Sequence, residues 1–378
     1  MKKKVIVSVI NDLVTDQRVH RTCLTLVESG YEVTLVGRVL KHSLPMPPRP
    51  YSHHRMRLLF TKGVPFYAEF QIRLFFYLLF HKAALLFSND LDTLLPNYCI
   101  AKLKHISIIY DSHEYFTGVP ELTENHTKRT IWKKLEKALL PKLPILFTVN
   151  QSIANLYKNE LGVDMKIMRN IPLKKVLPPK TSRESLGLPT DKHILLLQGA
   201  GININRGVEE AIQAMSYVDN SLLLIIGGGN AYEDLKKLSN ELNLTEKVKF
   251  INKLPFEELM QYTMQADIGL TLDKDTNINY RYSLPNKLFD YIQAEVPVLA
   301  SPLVEVKKIV DEYRVGICIE SYQPNEIAAK INYMLADKDR WLVWKSNTAA
   351  AKQILCWENE KKVLTDVLEK LKKEPLSN

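Results

Sequence analysis

Residues 280–301 read YRYSLPNKLFDYIQAEVPVLAS, and the order of a polar helix start, a mixed helical body and a short apolar run decides the fold class. Ser283 is a residue type that caps helix N-termini, and Pro285 suits a first turn, where its missing N–H costs nothing. The unpaired N–H groups of such a start attract anions, and Lys287 adds a full positive charge in the same turn. On a helix Asn286, Lys287 and Asp290 share one face. The segment can therefore hold a phosphate with its first turn and two ribose hydroxyls with the Asp290 carboxylate. The alternative is a well-capped surface helix with Lys287 solvated and compensated by Asp290. The PVLAS of residues 297–301 reads as a short buried strand, which sets the helix in an α/β layer.

The same alternation runs along the whole chain. Strands are expected at Lys4 to Val9, Val33 to Gly37, Ala84 to Ser88, Ile106 to Tyr110 and Ile145 to Val149, then at Ile194 to Gln198, Leu222 to Ile226, Val248 to Ile251, Ile268 to Thr271, Val298 to Ala300 and Gly316 to Ile319. Helical patterns separate them at Asp16 to Ser29, Thr127 to Leu139, Gln151 to Glu160, Val208 to Met215, Tyr232 to Asn243 and Pro255 to Ala266. Alternating strand and helix implies parallel sheets covered on both faces. Two doubly wound, Rossmann-like domains are expected, residues 1–170 and 171–354. Their joint lies near residues 170–192, where Pro172, Pro178, Pro179 and Pro189 occur. A last helix at about 355–375 is expected to cross back onto the first domain. Ligands of open α/β sheets bind at the carboxyl ends of the strands, which places a shared cleft between the domains.

At 378 residues, with 46% hydrophobic and 25% charged residues, the chain is globular and too long for one ordinary core. Cys23, Cys99, Cys318 and Cys356 are scattered and make no metal-type pairs, which implies reduced thiols in a cytosolic protein. The opening MKKKVIVSVINDLV has a basic start, but its apolar run stops at Asn11 and Asp12, so it reads as a first strand and not a signal peptide.

The net charge of +9 is uneven: residues 1–170 hold 24 Lys and Arg against 14 Asp and Glu, and the rest hold 27 against 28. Between Arg38 and Lys82, eight basic residues face one acid, Glu69, and are interleaved with aromatics. No nucleic-acid motif accompanies them. The stretch Phe66 to Phe87 is interrupted by Glu69, Arg73, His81 and Lys82 and is not a transmembrane span. It reads either as a helix lying on the anionic inner face of the cell membrane or as a helix packed on the sheet.

Several loops carry chemistry. Arg206 and Gly207 follow a strand and precede the helix VEEAIQAM, so Arg206 and Lys287 can reach one diphosphate from neighbouring loops. Two cations there would stabilise a departing nucleoside diphosphate without a metal. Gly228 lies in the triple glycine after LLLII, which permits close ligand approach but is also explained by a turn. His113, in Asp111-Ser-His113-Glu114, follows a strand end, and a histidine there either contacts a sugar hydroxyl or is structural. Asp90-Leu-Asp92 and Asp273-Lys-Asp275 are metal-compatible triplets that are common by chance. Asp90 reads as shaping the acceptor side, and Asp273 to Tyr280 as a mobile loop.

Taken in order, TDQRVHR at 15–21, YDSHEYF at 110–116, GININRGVEEAI at 201–212, LIIGGG at 224–229, ADIGL at 266–270 and SLPNKLFDYIQAEVPVLAS at 283–301 resemble the retaining glycosyltransferases of family 4, which have the GT-B fold. The resemblance implies a nucleoside diphosphate sugar on the second domain, a glycan or lipid-linked acceptor on the first, retention of configuration, no cofactor and no required metal. By position, Arg206 and Lys287 would hold the diphosphate, Asp290 the ribose, and His113 would lie beside the transferred sugar. Gly228, Ser283 and Asn286 would complete the donor site, and Asn11, Asp12, Arg18, Asp90 and Glu114 would line the acceptor side. The chain departs from the family in carrying Tyr282 where the first of two paired acids stands, and Ala200 where a basic residue is usual. A GT-B nucleotide-sugar epimerase and a catalytically silent nucleotide-sugar-binding protein of a polysaccharide assembly complex are the alternatives. The location implied is cytoplasmic, peripheral on the inner face of the membrane.

Overall fold

A computed structural model describes residues 2–174, 179–199 and 201–373. The chain divides into two compact units, residues 1–170 with 360–378, and residues 171–359. Of the expected joint, Pro178 lies outside the described residues, as do the last residues of the expected C-terminal helix.

The first unit is built on a seven-stranded sheet: β1 (Lys4–Asp12), β2 (Glu32–Arg38), β3 (Ser52–Met56), β4 (Leu85–Asn89), β5 (Ser107–Ser112), β6 (Leu146–Thr148) and β7 (Lys166–Ile167). Its order is β3-β2-β1-β4-β5-β6-β7, every neighbouring pair parallel. β4 and β5 are buried along their full length, as strands covered on both faces must be, and this is why each contains an apolar run, Leu85 to Phe87 and Ile108 to Tyr110. β3, of sequence SHHRM, is an exposed edge strand with no such run, and β7 is two residues long, so neither is visible in the hydrophobic pattern.

The stretch expected as one helix from Phe66 to Phe87 is divided. A helix spans Gly63–Phe80, His81 ends it in extended conformation, and β4 follows. Phe66, Phe70, Leu74 and Leu78 recur every fourth residue and are buried, whereas Ile72, Phe76 and Phe80 recur on another stripe and are 51% to 76% exposed. Among the described residues no helix is long and apolar enough to cross a membrane. The helix Lys362–Lys373 belongs to this same unit: it buries Leu364, Val367, Leu368 and Leu371, while Lys361 pairs with Glu28 and Lys372 donates to the Ser29 carbonyl. Just before it, Glu360 accepts from the Arg169 backbone N–H and from its guanidinium at 2.6 to 3.0 Å.

The second unit holds a six-stranded parallel sheet of β8 (His193–Gly199), β9 (Ser221–Gly227), β10 (Val248–Asn252), β11 (Ile268–Thr271), β12 (Val298–Ala300) and β13 (Gly316–Cys318), in the order β10-β9-β8-β11-β12-β13. Successive strand side chains point to opposite faces, and the core obeys this. Leu195, Leu197, Leu223, Ile225 and Leu270 join one buried cluster, and Ile194, Leu196, Leu222, Leu224 and Ile226 join the other. In each sheet the strand order reverses once, between β1 and β4 and between β8 and β11. Ligands of open α/β sheets bind beyond the carboxyl ends of the strands at such points.

Candidate active site

In the second unit, three charged side chains meet beside the β8 and β11 reversal. Asp273, two residues beyond β11, is fully buried; its Oδ1 lies 2.9 Å from Arg206 and its Oδ2 lies 3.0 Å from the Lys287 ammonium. Burial works against the charge of Asp273, but Lys287 and then Arg206 outweigh it and hold the carboxyl below its usual range. The group is an anion with two cations on it. The Arg206 guanidinium rests over the Tyr280 ring, 4.4 Å from its centre, and its Nε–H is buried without an acceptor among the described residues.

The loop carrying Arg206 is fixed by backbone contact. Gly207 has φ +70°, and a Cβ there would stand 2.2 Å from the Leu272 carbonyl oxygen, so only glycine lets this loop lie on the chain just ahead of Asp273. The segment expected to be a mobile loop, Asp273 to Tyr280, is ordered at both ends. Asp273 is buried, and the Asn277 side chain caps the short helix Ile278–Arg281 by accepting from the Asn279 and Tyr280 N–H groups.

The helix that opened the sequence reading spans Asn286–Gln293, with Pro285 at the N-cap in extended conformation and no side-chain cap. Ser283 is therefore not the cap expected of it. Its hydroxyl donates to the Tyr280 carbonyl at 2.9 Å and closes the preceding turn, because the extended Pro285 moves the N-cap from Ser283 to Pro285. The start has no side-chain cap, helix starts of this kind attract anions, and Lys287 stands in that turn. Asn286 is exposed beside it. Tyr291 sets the register of this helix: its buried hydroxyl donates toward the Leu196 and Leu270 carbonyls at 3.0 and 3.1 Å, and its ring fills the space where a Cβ at Gly269 would stand. Asp290, one residue earlier, accepts from Gln198 at 3.3 Å, and Gln198 is held by the Thr263 hydroxyl at 2.8 Å.

The triple glycine serves backbone packing at two of its three positions. A Cβ at Gly227 would meet the Gly199 carbonyl at 1.8 Å and one at Gly229 the Ile202 carbonyl at 2.3 Å, whereas Gly228 faces open space. Of the three, only Gly228 is left for a ligand. Ala200 lies outside the described residues.

In the first unit a chain of alternating charge lies at the carboxyl ends of β1, β4 and β5. Arg18 grips Asp111 with two hydrogen bonds, at 3.0 and 2.7 Å, both side chains being buried. His113 continues the chain. Its Nε2 is 3.1 Å from Asn89 Oδ1 and 3.5 Å from Asp111, its Nδ1 is 3.2 Å from Asp90, and its backbone N–H donates to Asp90. Burial opposes the charge of the imidazole, yet Asp90 and Asp111 outweigh it and raise its pKa from 6.5 to about 9. Burial likewise opposes ionisation of Asp111, and Arg18 with His113 brings it down to about 2. At neutral pH His113 is thus an imidazolium with both ring N–H groups directed at the protein. It is a fixed positive charge and not a base. Asp90 holds φ +58°, a left-handed conformation costly for a non-glycine residue and characteristic of functional sites.

Two residues expected on the acceptor side, Arg18 and Asp12, are committed to protein partners instead. Arg18 is 4% exposed and committed to Asp111, so it braces His113 and does not present its charge to a ligand. β1 continues through Asn11 and Asp12, and Asp12 is committed to the protein, pairing with Arg55 at 3.2 Å and accepting from the Ser43 hydroxyl. Asn11 donates to Asp16 at 3.1 Å, and Asp16 caps the helix Gln17–Glu28. Glu114 is exposed. Among the described residues no three His, Cys, Asp or Glu side chains gather in an array that could hold a metal ion. Sequence reasoning missed the pairing of Asp273 with both cations. The one available signal was its place just beyond the strand ADIGLTL.

The family model of glycosyl transferases group 1 matches residues 179–351. That stretch is similar to the glycosyl transferases of group 1. Arg206, Asp273, Lys287 and Asp290 all fall within the group 1 match, and Arg18, Asp111 and His113 precede it. The GDP-mannose-dependent alpha-(1-6)-phosphatidylinositol monomannoside mannosyltransferase of Mycobacterium tuberculosis is 24% identical over 155 residues, 36% of this chain and 38% of that protein. This chain thus aligns with well under two thirds of that curated relative. Among solved structures, the sucrose-phosphate synthase of Thermosynechococcus elongatus superposes with TM-score 0.83 at 16% identity, over 98% of this chain and 100% of that one. Anabaena Alr3699/HepE in complex with UDP-glucose superposes with TM-score 0.72 at 14% identity, over 98% and 100%. The fold shared with these structures is GT-B, two Rossmann-like parallel-sheet domains.

Proposed function

We propose that the protein transfers a sugar from a nucleoside diphosphate sugar to a glycan or lipid-linked acceptor, with retention of configuration, in surface polysaccharide synthesis. The observation that carries this reading is the convergence of Arg206 and Lys287 on one point beside an uncapped helix start, with Asp290 one turn further along the same helix. Two cations and a helix terminus would take the charge that grows on a departing diphosphate without a metal ion, and such preorganised charge is the largest catalytic contribution in many enzymes. Asp290 would accept from the ribose hydroxyls. The bond from the anomeric carbon to the diphosphate oxygen breaks through an oxocarbenium-like state. The acceptor oxygen bonds to the same face, and its proton passes to the departing phosphate. The imidazolium of His113 would supply a fixed positive charge on the acceptor-side unit. The UDP-glucose in the HepE complex and the GDP-mannose donor of the mycobacterial relative support a donor of this class.

A thermal-shift panel of UDP, GDP, ADP and their sugars tests the reading. One nucleotide series at about a hundredfold its Kd should stabilise the protein by roughly 2.7 kcal/mol, seen as a rise in Tm. If no member shifts the transition, the donor assignment fails. Incubation with donor alone should leave the sugar unchanged, since rapid isomerisation would mark an epimerase.

We also place the protein at the inner face of the membrane, through the helix Gly63–Phe80 and β3. Arg55, Arg57 and Arg73 share an open groove with Phe76 and Phe80, and Ile72, Phe76 and Phe80 form its exposed apolar stripe. Basic side chains near an anionic surface contribute about 1 kcal/mol each. Co-sedimentation with vesicles should require anionic lipid and weaken as salt is added; equal binding to neutral vesicles would count against the assignment.

A further inference from the structure

Asp273 has no place in a simple phosphate cradle. A cradle gathers positive charge, yet here a fully buried carboxylate sits on both of the cations that would hold the diphosphate. The carboxylate is itself built in: Thr271 donates to Oδ2 at 3.3 Å, and the Tyr322 hydroxyl donates to the Asp273 carbonyl at 2.9 Å. A charge excluded from water is felt strongly by its neighbours and by any ion that approaches them. Lys287 carries three N–H donors and Arg206 five, so both can hold Asp273 and still offer N–H groups to a ligand.

From this we infer that Asp273 is a positioning residue that sets how tightly the site holds a nucleoside diphosphate. The inference rests on the assignment of Arg206 and Lys287 to the diphosphate. Asp273 keeps two like charges side by side in the empty site, where they would otherwise repel each other. It also cancels one of them, so that the incoming diphosphate meets a cluster carrying one net positive charge and not two. The leaving group is stabilised during transfer and still departs afterwards, a step that limits turnover in many transferases with closing sites.

The test is calorimetric titration of UDP, GDP and ADP into the wild type, Asp273→Asn, Lys287→Gln and the double variant. Asparagine keeps the shape and removes the charge. The nucleotide that binds the wild type should bind Asp273→Asn at least about fivefold tighter, with kcat and donor KM falling together as product release slows. A merely structural salt bridge predicts the reverse, because loosened cations bind more weakly. Unchanged or weaker binding by Asp273→Asn, with Lys287→Gln weakened as expected, overturns the role of Asp273 and leaves the diphosphate assignment standing. Wild-type affinity in Lys287→Gln overturns the diphosphate assignment and the role of Asp273 with it. If Asp273→Asn does not fold, the double variant, whose net charge equals that of the wild type, replaces it. It should bind tighter than Lys287→Gln alone, and equal or weaker binding overturns the inference.

Discussion

Replacing Lys287 by alanine should lower turnover at saturating donor by a factor of roughly a hundred or more, about 3 kcal/mol of transition-state stabilisation. The ammonium stands in the first turn of an uncapped helix, with 11% of its side chain exposed and Asp273 at 3.0 Å. Its loss removes one of two cations and leaves the buried carboxylate on Arg206 alone, which further lowers the positive field offered to a leaving group. Circular dichroism should show the variant folded, because the register of the helix is set by the buried Tyr291 and not by Lys287. Transfer kinetics with the donor identified by thermal shift measure the effect. Near-normal turnover would defeat the phosphate assignment and favour a silent binding protein.

Arg18→Met should destabilise the protein by about 3 to 5 kcal/mol, the usual cost of removing one partner from a buried ion pair, and lower Tm by roughly 10 °C. Methionine fills comparable space but leaves Asp111 ionised and unmatched on one side, with only His113 facing it. The pH profile sharpens the prediction. The His113 pKa is raised to about 9 in the folded protein, so its contribution is fully present below about pH 6.5 and is lost as pH climbs through 9. Asp111 is depressed to about 2, so its contribution is present above about pH 4 and is lost as pH falls through 2. In Arg18→Met the acid limb should move to higher pH. Thermal melts across pH 3 to 10 would show this, and an unchanged acid limb would mean that Arg18 does not hold Asp111 down.

Most of the architecture was legible because parallel strands buried on both faces carry apolar runs, as the LLLII of β9 and the IIY of β5 do. β3 was illegible for the converse reason, being an edge strand with Ser52, His53 and His54 in the open. The helix Leu91–Lys104 was missed because Pro96 lies inside it and its apolar residues cover no single stripe. At the site, local spacing found Lys287 and Asp290, and loop position found Arg206. Asp273 was read only as part of a metal-compatible triplet, since its role depends on partners 67 and 14 positions away in the chain, which no local pattern joins. Arg18 failed differently. Its charge was visible, but only the fold showed that the charge is turned inward on Asp111.

The return of the C-terminal helix to the first unit means that, along the chain, the second unit is an insertion within the first. During synthesis β1 to β7 emerge before the second unit, and the helix carrying Leu364, Val367, Leu368 and Leu371 emerges after it. At about 5 to 20 residues per second, the ribosome needs roughly 10 to 40 s to make residues 171–359. For that interval the first sheet waits with the surface around Glu28, Ser29 and Tyr31 uncovered and Arg169 without Glu360. The usual order, in which the earlier domain along a chain completes its folding first, is inverted for these two units, and the earlier one closes only after the second has been made.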